Sequence, residues 1–265
     1  MNDQRTELSG LAKNTISKCE SIVKKFKQMA AGTRKLDSGM RSVLRNMRKL
    51  LEHSEEKLKE AKATITTLRE KINKVLATLR VFKGLVKAAK ERDEALSQGV
   101  PTEDITNIVG GIVEDIKTGA DGFRKAKKGD GTISVITSVV SGLTRAITGI
   151  MKAVNRPEVG PKLDGALSKV NGAITIVEKQ KEAMENEVEL IIVWKDAVEI
   201  VKIGVFNSDL KEKKEEEEQE LYDEIEEIIE DGDLDEITDP FESLKDAANG
   251  YLIHVKNVCR ACTET

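Results

Sequence analysis

Aromatic residues are scarce in this chain, where Phe, Trp and Tyr make up 3% of 265 residues. The sequence also contains only four prolines, three cysteines and two histidines. So few rings cannot fill the thick core of a β-sandwich, a barrel or a Rossmann enzyme, and three cysteines are too few for a disulfide scaffold. Charged residues, by contrast, make up 34% of the chain, against about 25% in an ordinary globular domain. This composition predicts long helices that bury a narrow apolar seam and expose the rest.

The sequence contains no recognisable catalytic motif. His53 and His254 stand alone on predicted helices, and Gly129-Asp130-Gly131 lacks the spacing of a phosphate-binding loop. An enzyme needs convergent acid, base, nucleophile or metal-binding groups, so we expect no catalytic activity, no cofactor and no metal. Nucleic acid is a poor partner for a chain with an acidic belt and few rings to stack on bases.

The amino-terminal residues do not indicate a compartment. Met1-Asn2-Asp3-Gln4 is not a basic segment followed by an apolar one, so we expect no Sec-type signal peptide. The protein is then intracellular, exported by another route, or represented here in its mature form.

Apolar residues at helical spacing predict the main elements. Asn2 and Asp3 cap a first helix that ends at Ala30-Ala31-Gly32, and a second helix runs from about residue 33 to 98. Its apolar positions follow steps of four and three, with one extra step of four around Ser54. A partly helical acidic stretch follows Glu212, and Asp239-Pro240 begins the last helix.

A third long helix shows a strict seven-residue repeat. Its repeating positions are Leu163, Val170, Val177, Met184, Ile191, Val198 and Val205. Companion positions that begin at Leu167 and Ile174 are only half apolar. Seven successive matches predict a long packed helix that ends near Asn207-Ser208.

Charge is distributed unevenly along the chain. Residues 1–98 carry 23 Lys and Arg against 12 Asp and Glu, whereas residues 212–239 carry 16 acidic residues against two lysines. One interpretation is that antiparallel neighbours of opposite sign attract each other within one bundle. The alternative is that the basic surface binds anionic lipid.

The three cysteines admit two interpretations. Cys259 and Cys262 form a C-x-x-C at the end of the last predicted helix, without the second pair that a zinc site requires. They are either small buried apolar residues at i and i+3, or one of them forms a disulfide with Cys19, because the first and last helices of a bundle often lie side by side. Such a disulfide requires an oxidising compartment.

Residues 99–161 differ in composition from both flanks, with three of the four prolines and many glycines. Residues 132–144 carry no charge, residues 105–116 form a second apolar patch, and a basic turn lies between them. The basic residues of this turn are Arg124, Lys125, Lys127 and Lys128. Either this apolar hairpin packs into the head of the bundle, or it is released on a membrane, where the basic residues contact anionic headgroups.

The order of long heptad helix, apolar hairpin and returning heptad helix, from Thr33 to Val205, resembles the α-helical pore-forming toxins of the cytolysin A (haemolysin E) superfamily. The resemblance rests on element order and hydropathy. It implies a soluble bundle whose apolar tongue unfolds on membranes, as a homo-oligomer or with a partner subunit. The membrane-inserting residues that it implies are Ile105, Ile108, Val109, Ile112, Val113, Ile133, Val135, Ile136, Val139, Val140, Leu143, Ile147 and Ile150. The hinges that it implies are Gly110, Gly111, Gly129 and Gly131.

The sequence therefore predicts an all-α protein, an elongated antiparallel bundle with long coiled-coil-like helices and a small apolar hairpin head. Residues 1–98 and 162–265 form the bundle, and residues 99–161 form the inserted hairpin. The expected function is pore formation in a lipid membrane; the localisation is left open, with secretion followed by membrane association expected if the protein is toxin-like. The alternatives are a non-lytic coiled-coil scaffold that binds partner helices and an apolipoprotein-like lipid carrier.

Overall fold

The computed structural model describes residues 2–32, 35–96, 160–206 and 215–263. Within these ranges the chain forms five α-helices and no strand, so the predicted all-α helical class is confirmed. The helices are α1 (Asn2–Ala30), α2 (Ser38–Leu96), α3 (Gly160–Gly204), α4 (Glu215–Asp231) and α5 (Leu234–Thr263).

The chain divides into two compact units. The first consists of Asp3–Thr66 and Asn186–Thr265, and the second of Thr67–Glu185. Helices α2 and α3 contribute to both units, whereas α1, α4 and α5 belong almost entirely to the first. The expected hairpin of residues 99–161 lies outside the described residues, so the predicted domain division stays a prediction.

Burial along α2 corrects the predicted interruption around Ser54. Ser54 is fully buried, and its hydroxyl donates to the Leu50 carbonyl oxygen at 2.7 Å. The steps of four and three therefore continue without interruption from Met40 to Leu79. The buried positions are Met40, Leu44, Met47, Leu51, Ser54, Leu58, Ala61, Ile65, Leu68, Ile72, Val75 and Leu79. A serine can occupy such a position because the helix backbone supplies the partner that its hydroxyl needs.

The seven-residue repeat of α3 is confirmed, because all seven predicted positions from Leu163 to Val205 are buried. The companion positions are shifted by one residue from the prediction. Among the predicted companions, Ile174 is buried but Lys181, Lys195 and Lys202 are only half-buried. The more deeply buried companions are Ala166, Ala173, Glu187, Trp194 and Val201.

The last helix starts earlier than predicted, at Leu234 instead of Asp239-Pro240, and Pro240 lies inside it. Asp235 and Glu236 occupy its first turn, where acidic side chains interact favourably with the helix dipole. Ile237 is 1% exposed, so burial of this turn offsets the backbone hydrogen bond that Pro240 cannot donate. A turn precedes the helix, and Gly232 in it adopts a φ of 89°, a conformation that favours glycine.

Candidate functional site

The residues that the sequence associates with membranes all lie in residues 97–159, outside the described part of the chain. They are the apolar positions from Ile105 to Ile150, the four hinge glycines and the basic residues Arg124 to Lys128. Their predicted roles therefore stay predictions, and the described residues on either side locate the ends of this segment.

Two ion pairs in the second unit align α2 with α3. Arg80 Nη2 lies 2.8 Å from Glu178 Oε1, and Lys90 Nζ lies 2.7 Å from Asp164 Oδ1. As the residue number rises along α2 it falls along α3, so the two helices are antiparallel here. The end of α2 therefore lies beside the start of α3, and residues 97–159 connect two adjacent helix ends.

A buried ion pair joins α1 to α3 in the first unit. Arg5 Nη2 donates to Glu187 Oε2 at 2.6 Å, and Arg5 Nε lies 3.0 Å from Glu187 Oε1. The two side chains are 7% and 1% exposed. This forked geometry satisfies both carboxylate oxygens, which a buried charge requires.

Two aromatic residues complete this cluster, which we call the buried network (Arg5, Glu187, Tyr251 and Trp194). The Tyr251 hydroxyl lies 3.4 Å from Glu187 Oε1, and the Tyr251 and Trp194 rings pack at 5.5 Å between centroids. Trp194 Nε1 is buried and has no hydrogen-bond partner in the described part of the chain. The buried network therefore links α1, α3 and α5 at one level of the first unit.

The sequence analysis missed the buried network, although the helical repeats contain it. Arg5 is the first member of a series of buried α1 positions at steps of three and four, which continues through Leu8, Ala12, Thr15, Cys19, Ile22 and Phe26. Glu187 belongs to the companion series of α3 that includes Trp194. Two opposite charges in the buried registers of two helices are the signal that predicts such a pair.

Helix α4 is bound to the start of α2 by opposite charges. Arg45 Nη2 lies 2.9 Å from Glu218 Oε2, and Arg41 Nη2 lies 3.6 Å from Glu226 Oε1. The backbone N–H of Leu36 donates to Glu226 Oε1 at 2.9 Å. The predicted attraction between basic and acidic segments is thus present at these contacts.

Besides its ion pairs, α4 has a cation–π contact and a buried apolar face. The Arg41 guanidinium lies 4.9 Å from the centroid of the Tyr222 ring, close enough for a cation–π interaction. Burial raises the pKa of the Tyr222 hydroxyl. Leu221, Ile225 and Ile229 are also buried, which shows that the acidic stretch is an amphipathic helix.

A groove of about 490 Å³ lies between α1 and α5 in the first unit. Its α1 side is lined by Cys19, Glu20, Val23, Lys24, Lys27, Gln28 and Ala31, and its α5 side by Phe241, Glu242 and Lys245. We call it the α1–α5 groove. It combines an apolar floor with charged edges.

Cys19 lines the α1–α5 groove and is buried. Burial raises its pKa from 9.0 to about 12, although Lys245 acts in the opposite direction. The side chains of Cys259 and Cys262 lie outside the described part, so the disulfide with Cys19 stays a prediction.

The described helices contain neither a metal-binding cluster nor a membrane-spanning segment. Within the described helices, no group of three His, Cys, Asp or Glu side chains is arranged to hold a metal ion. None of these helices combines the length and the hydropathy needed to cross a membrane. Comparison of the chain with models of known families, with characterised proteins and with solved structures finds no match.

Proposed function

We propose that the protein is a membrane-active, pore-forming protein whose apolar segment, residues 105–150, enters the lipid bilayer. The observation that supports the proposal is that the end of α2 lies beside the start of α3, where Lys90 contacts Asp164. The apolar segment includes the charge-free residues 132–144. A segment joined to two paired helix ends can extend away from them without separating the helices.

The energetics of the two parts support this division of roles. Each of the seven buried repeat positions from Leu163 to Val205 contributes about 1.5 to 3 kcal/mol relative to exposure. The glycine-rich segment gains less, because each glycine costs about 0.5 to 1 kcal/mol relative to alanine in a helix or strand. The segment is therefore expected to open before the helices separate.

The proposal retains the finer architecture expected from the sequence. This is an elongated antiparallel bundle with coiled-coil-like helices and an apolar hairpin head, similar to the cytolysin A superfamily. On a membrane the protein forms homo-oligomers or acts with a partner subunit, and no catalytic step is involved. Arg124, Lys125, Lys127 and Lys128 bind the anionic headgroups.

Release of calcein from vesicles tests the proposal. We expect the intact protein to release calcein from phosphatidylglycerol-containing vesicles, and Val139→Asp to abolish release because a charge in the bilayer core is costly. Ile253→Asp is the matched control, since Ile253 is 50% exposed on α5 and should keep wild-type release. Absence of leakage with every lipid composition, or equal leakage by Val139→Asp, contradicts the proposal.

The two alternatives give other outcomes in the same experiment. A non-lytic scaffold keeps residues 132–144 buried and neither floats with vesicles nor releases calcein. A lipid carrier binds vesicles reversibly without leakage and without rings in electron micrographs. Flotation and microscopy, performed alongside the leakage assay, distinguish the three functions.

A further inference from the structure

We propose that an exposed face of α3 binds an exposed face of α1 on a second copy of this chain, so that copies associate side by side. Both faces lie in the first unit. This inference rests on the proposed oligomer at a membrane, and it names the contact that builds the oligomer.

Three large apolar side chains are exposed on one side of α3. Val193, Ile200 and Ile203 are 54, 53 and 63% exposed. Together with two exposed acidic residues they recur at steps of four and three, which places them on one stripe of the helix. We call this stripe the α3 outer face (Glu189, Val193, Asp196, Ile200 and Ile203). An exposed apolar stripe with a charged rim is typical of an interaction surface.

The exposed side of α1 carries the opposite charge. We call it the α1 outer face (Gly10, Lys13, Ser17, Ser21 and Lys24), whose members are all exposed and recur at steps of three and four. Lys13 and Lys24 form no ion pair with the described residues, and neither do the two acidic residues of the α3 outer face. Both pairs of charges are therefore available to a second copy.

The two outer faces point in opposite directions. Arg5 and Glu187 join the buried sides of α1 and α3 across the core of the first unit, so the exposed sides of these helices face away from each other. One copy can bind the next through its α3 outer face while its own α1 outer face stays accessible to a third copy. Head-to-tail contacts of this kind build a ring or a row.

Charge identifies the second copy as the occupant. Glu189 and Asp196 attract the lysines of the α1 outer face, whereas they repel an anionic bilayer surface. The same two carboxylates repel each other when two α3 outer faces meet. Bulky aliphatic side chains on α3 also meet the small Ser17 and Ser21 on α1, which leave room between the two lysines.

The contact is small, so it depends on confinement of the copies. The α3 outer face extends over about 20 Å of helix, and one helix pair of this length buries less than the about 800 Å² per partner that is usual in a stable complex. Copies held on one membrane have a raised effective concentration. We therefore expect association on the membrane and not in dilute solution.

Energy transfer between tethered copies tests the contact without requiring insertion. Full-length protein with a carboxy-terminal His tag, labelled at its amino terminus with a donor or an acceptor, is bound to phosphatidylcholine vesicles that contain a nickel-chelating lipid. We expect energy transfer above the level of randomly placed molecules. Lys13→Glu/Lys24→Glu should raise the surface density at half-maximal transfer about tenfold or more, because two attractive contacts become repulsive. Lys49→Glu/Lys62→Glu is the matched control, with the same charge change at exposed positions of α2.

A mixture of two variants identifies both faces. Lys13→Glu/Lys24→Glu makes both outer faces acidic, and Glu189→Lys/Asp196→Lys makes both basic, so neither variant should associate alone. A one-to-one mixture should recover most of the wild-type transfer, because acidic and basic faces then alternate. A contact between two α3 outer faces would leave the Lys13→Glu/Lys24→Glu variant unaffected. Circular dichroism checks that each variant keeps its helices.

Three results overturn the inference: transfer at the random level in the wild type, equal weakening by the control pair, or a mixture that does not recover transfer. Calcein release is measured separately, so the two proposals fail independently. Recovery of transfer without calcein release contradicts pore formation alone. Release that Val139→Asp abolishes, without recovery of transfer by the mixture, contradicts this contact alone.

Discussion

At the scale of single residues, the first unit contains a buried pair of opposite charges, Arg5 and Glu187. A buried ion pair often adds little relative to apolar residues of similar size, yet removal of one partner leaves an uncompensated charge. The forked ion pair, with its 2.6 Å contact, therefore favours the one arrangement of α1 and α3 in which both charges have a partner.

A double-mutant cycle tests this interpretation. Arg5→Met should destabilise the protein by about 3 kcal/mol or more, because Glu187 remains buried without its partner. Arg5→Met/Glu187→Met should recover most of that loss. The measurement is urea unfolding followed by circular dichroism, and strictly additive effects of the two substitutions contradict the prediction.

The buried thiol of Cys19 is expected to make the free energy of unfolding depend on pH in the alkaline range. Burial raises the pKa of this thiol from its ordinary value of 9.0 to about 12 in the folded chain, so between these values a solvent-exposed thiol of the unfolded chain ionises and the folded one does not. Stability from this group is present below pH 9 and is lost as pH rises toward 12. The same burial should make Cys19 slow to react with thiol reagents at neutral pH.

Comparison with Cys19→Ala measures this effect. We expect the wild-type advantage in free energy of unfolding to shrink by about 2 kcal/mol between roughly pH 8 and pH 10.5, at up to 1.4 kcal/mol per pH unit above the unfolded pKa. Other titrating groups cancel in the difference between the two proteins. An advantage that stays constant with pH shows that burial does not hinder ionisation of Cys19.

At the scale of elements, apolar periodicity predicted α1, α2 and α3, and the errors occurred where a polar residue occupies a buried position. The spacing of apolar residues alone predicted an extra step of four around Ser54, because Ser54 itself occupies a buried position and its hydroxyl donates to the Leu50 carbonyl. Glu187 was overlooked because a carboxylate is rarely buried without a partner, and its partner is 182 residues away. Such partners depend on tertiary packing, which the local sequence does not reveal.

The contact between α4 and α2 combines ion pairs with buried apolar side chains. Hydrogen bonding to Glu218 raises the pKa of Arg45. Both members of this pair are partly exposed, so added salt should weaken their attraction. The buried Leu221, Ile225 and Ile229 should keep the helix associated at moderate salt.

Charge exchange tests this contact. Arg45→Glu should increase hydrogen–deuterium exchange across residues 215–231, and Arg45→Glu/Glu218→Arg should restore wild-type protection. Lys49→Glu is the control, because Lys49 is exposed on α2 and forms no ion pair with the described residues. Equal exchange in the Arg45 and Lys49 variants would show that apolar packing alone holds α4.

At the scale of the whole molecule, the pairing of α2 with α3 separates the pore-forming proposal from a lipid carrier. Under the pore-forming proposal, insertion of residues 105–150 would leave the paired helix ends together, whereas a carrier that opens around lipid would have to separate them. The two helices can be cross-linked at Lys90 and Asp164, whose side chains are in contact.

A short covalent bridge tests which movement occurs. The variant carries Lys90→Cys and Asp164→Cys, and Cys259 and Cys262 are replaced by serine. A bis-maleimide then joins the cysteines introduced at positions 90 and 164. We expect the bridged protein to release calcein at least half as fast as the unbridged variant. Leakage is followed by fluorescence, and the uncoupled double variant is the control. Loss of leakage only in the bridged protein favours opening of the helices over release of the segment.

Trp194 gives the molecule an intrinsic optical reporter of its first unit. It is the single tryptophan of the chain, it is 0% exposed, and its ring packs on Tyr251. Its emission therefore arises from one site beside Glu187 and receives no contribution from residues 97–159. Tryptophan fluorescence will record loosening of the first unit during membrane binding and will be silent about a segment that moves alone.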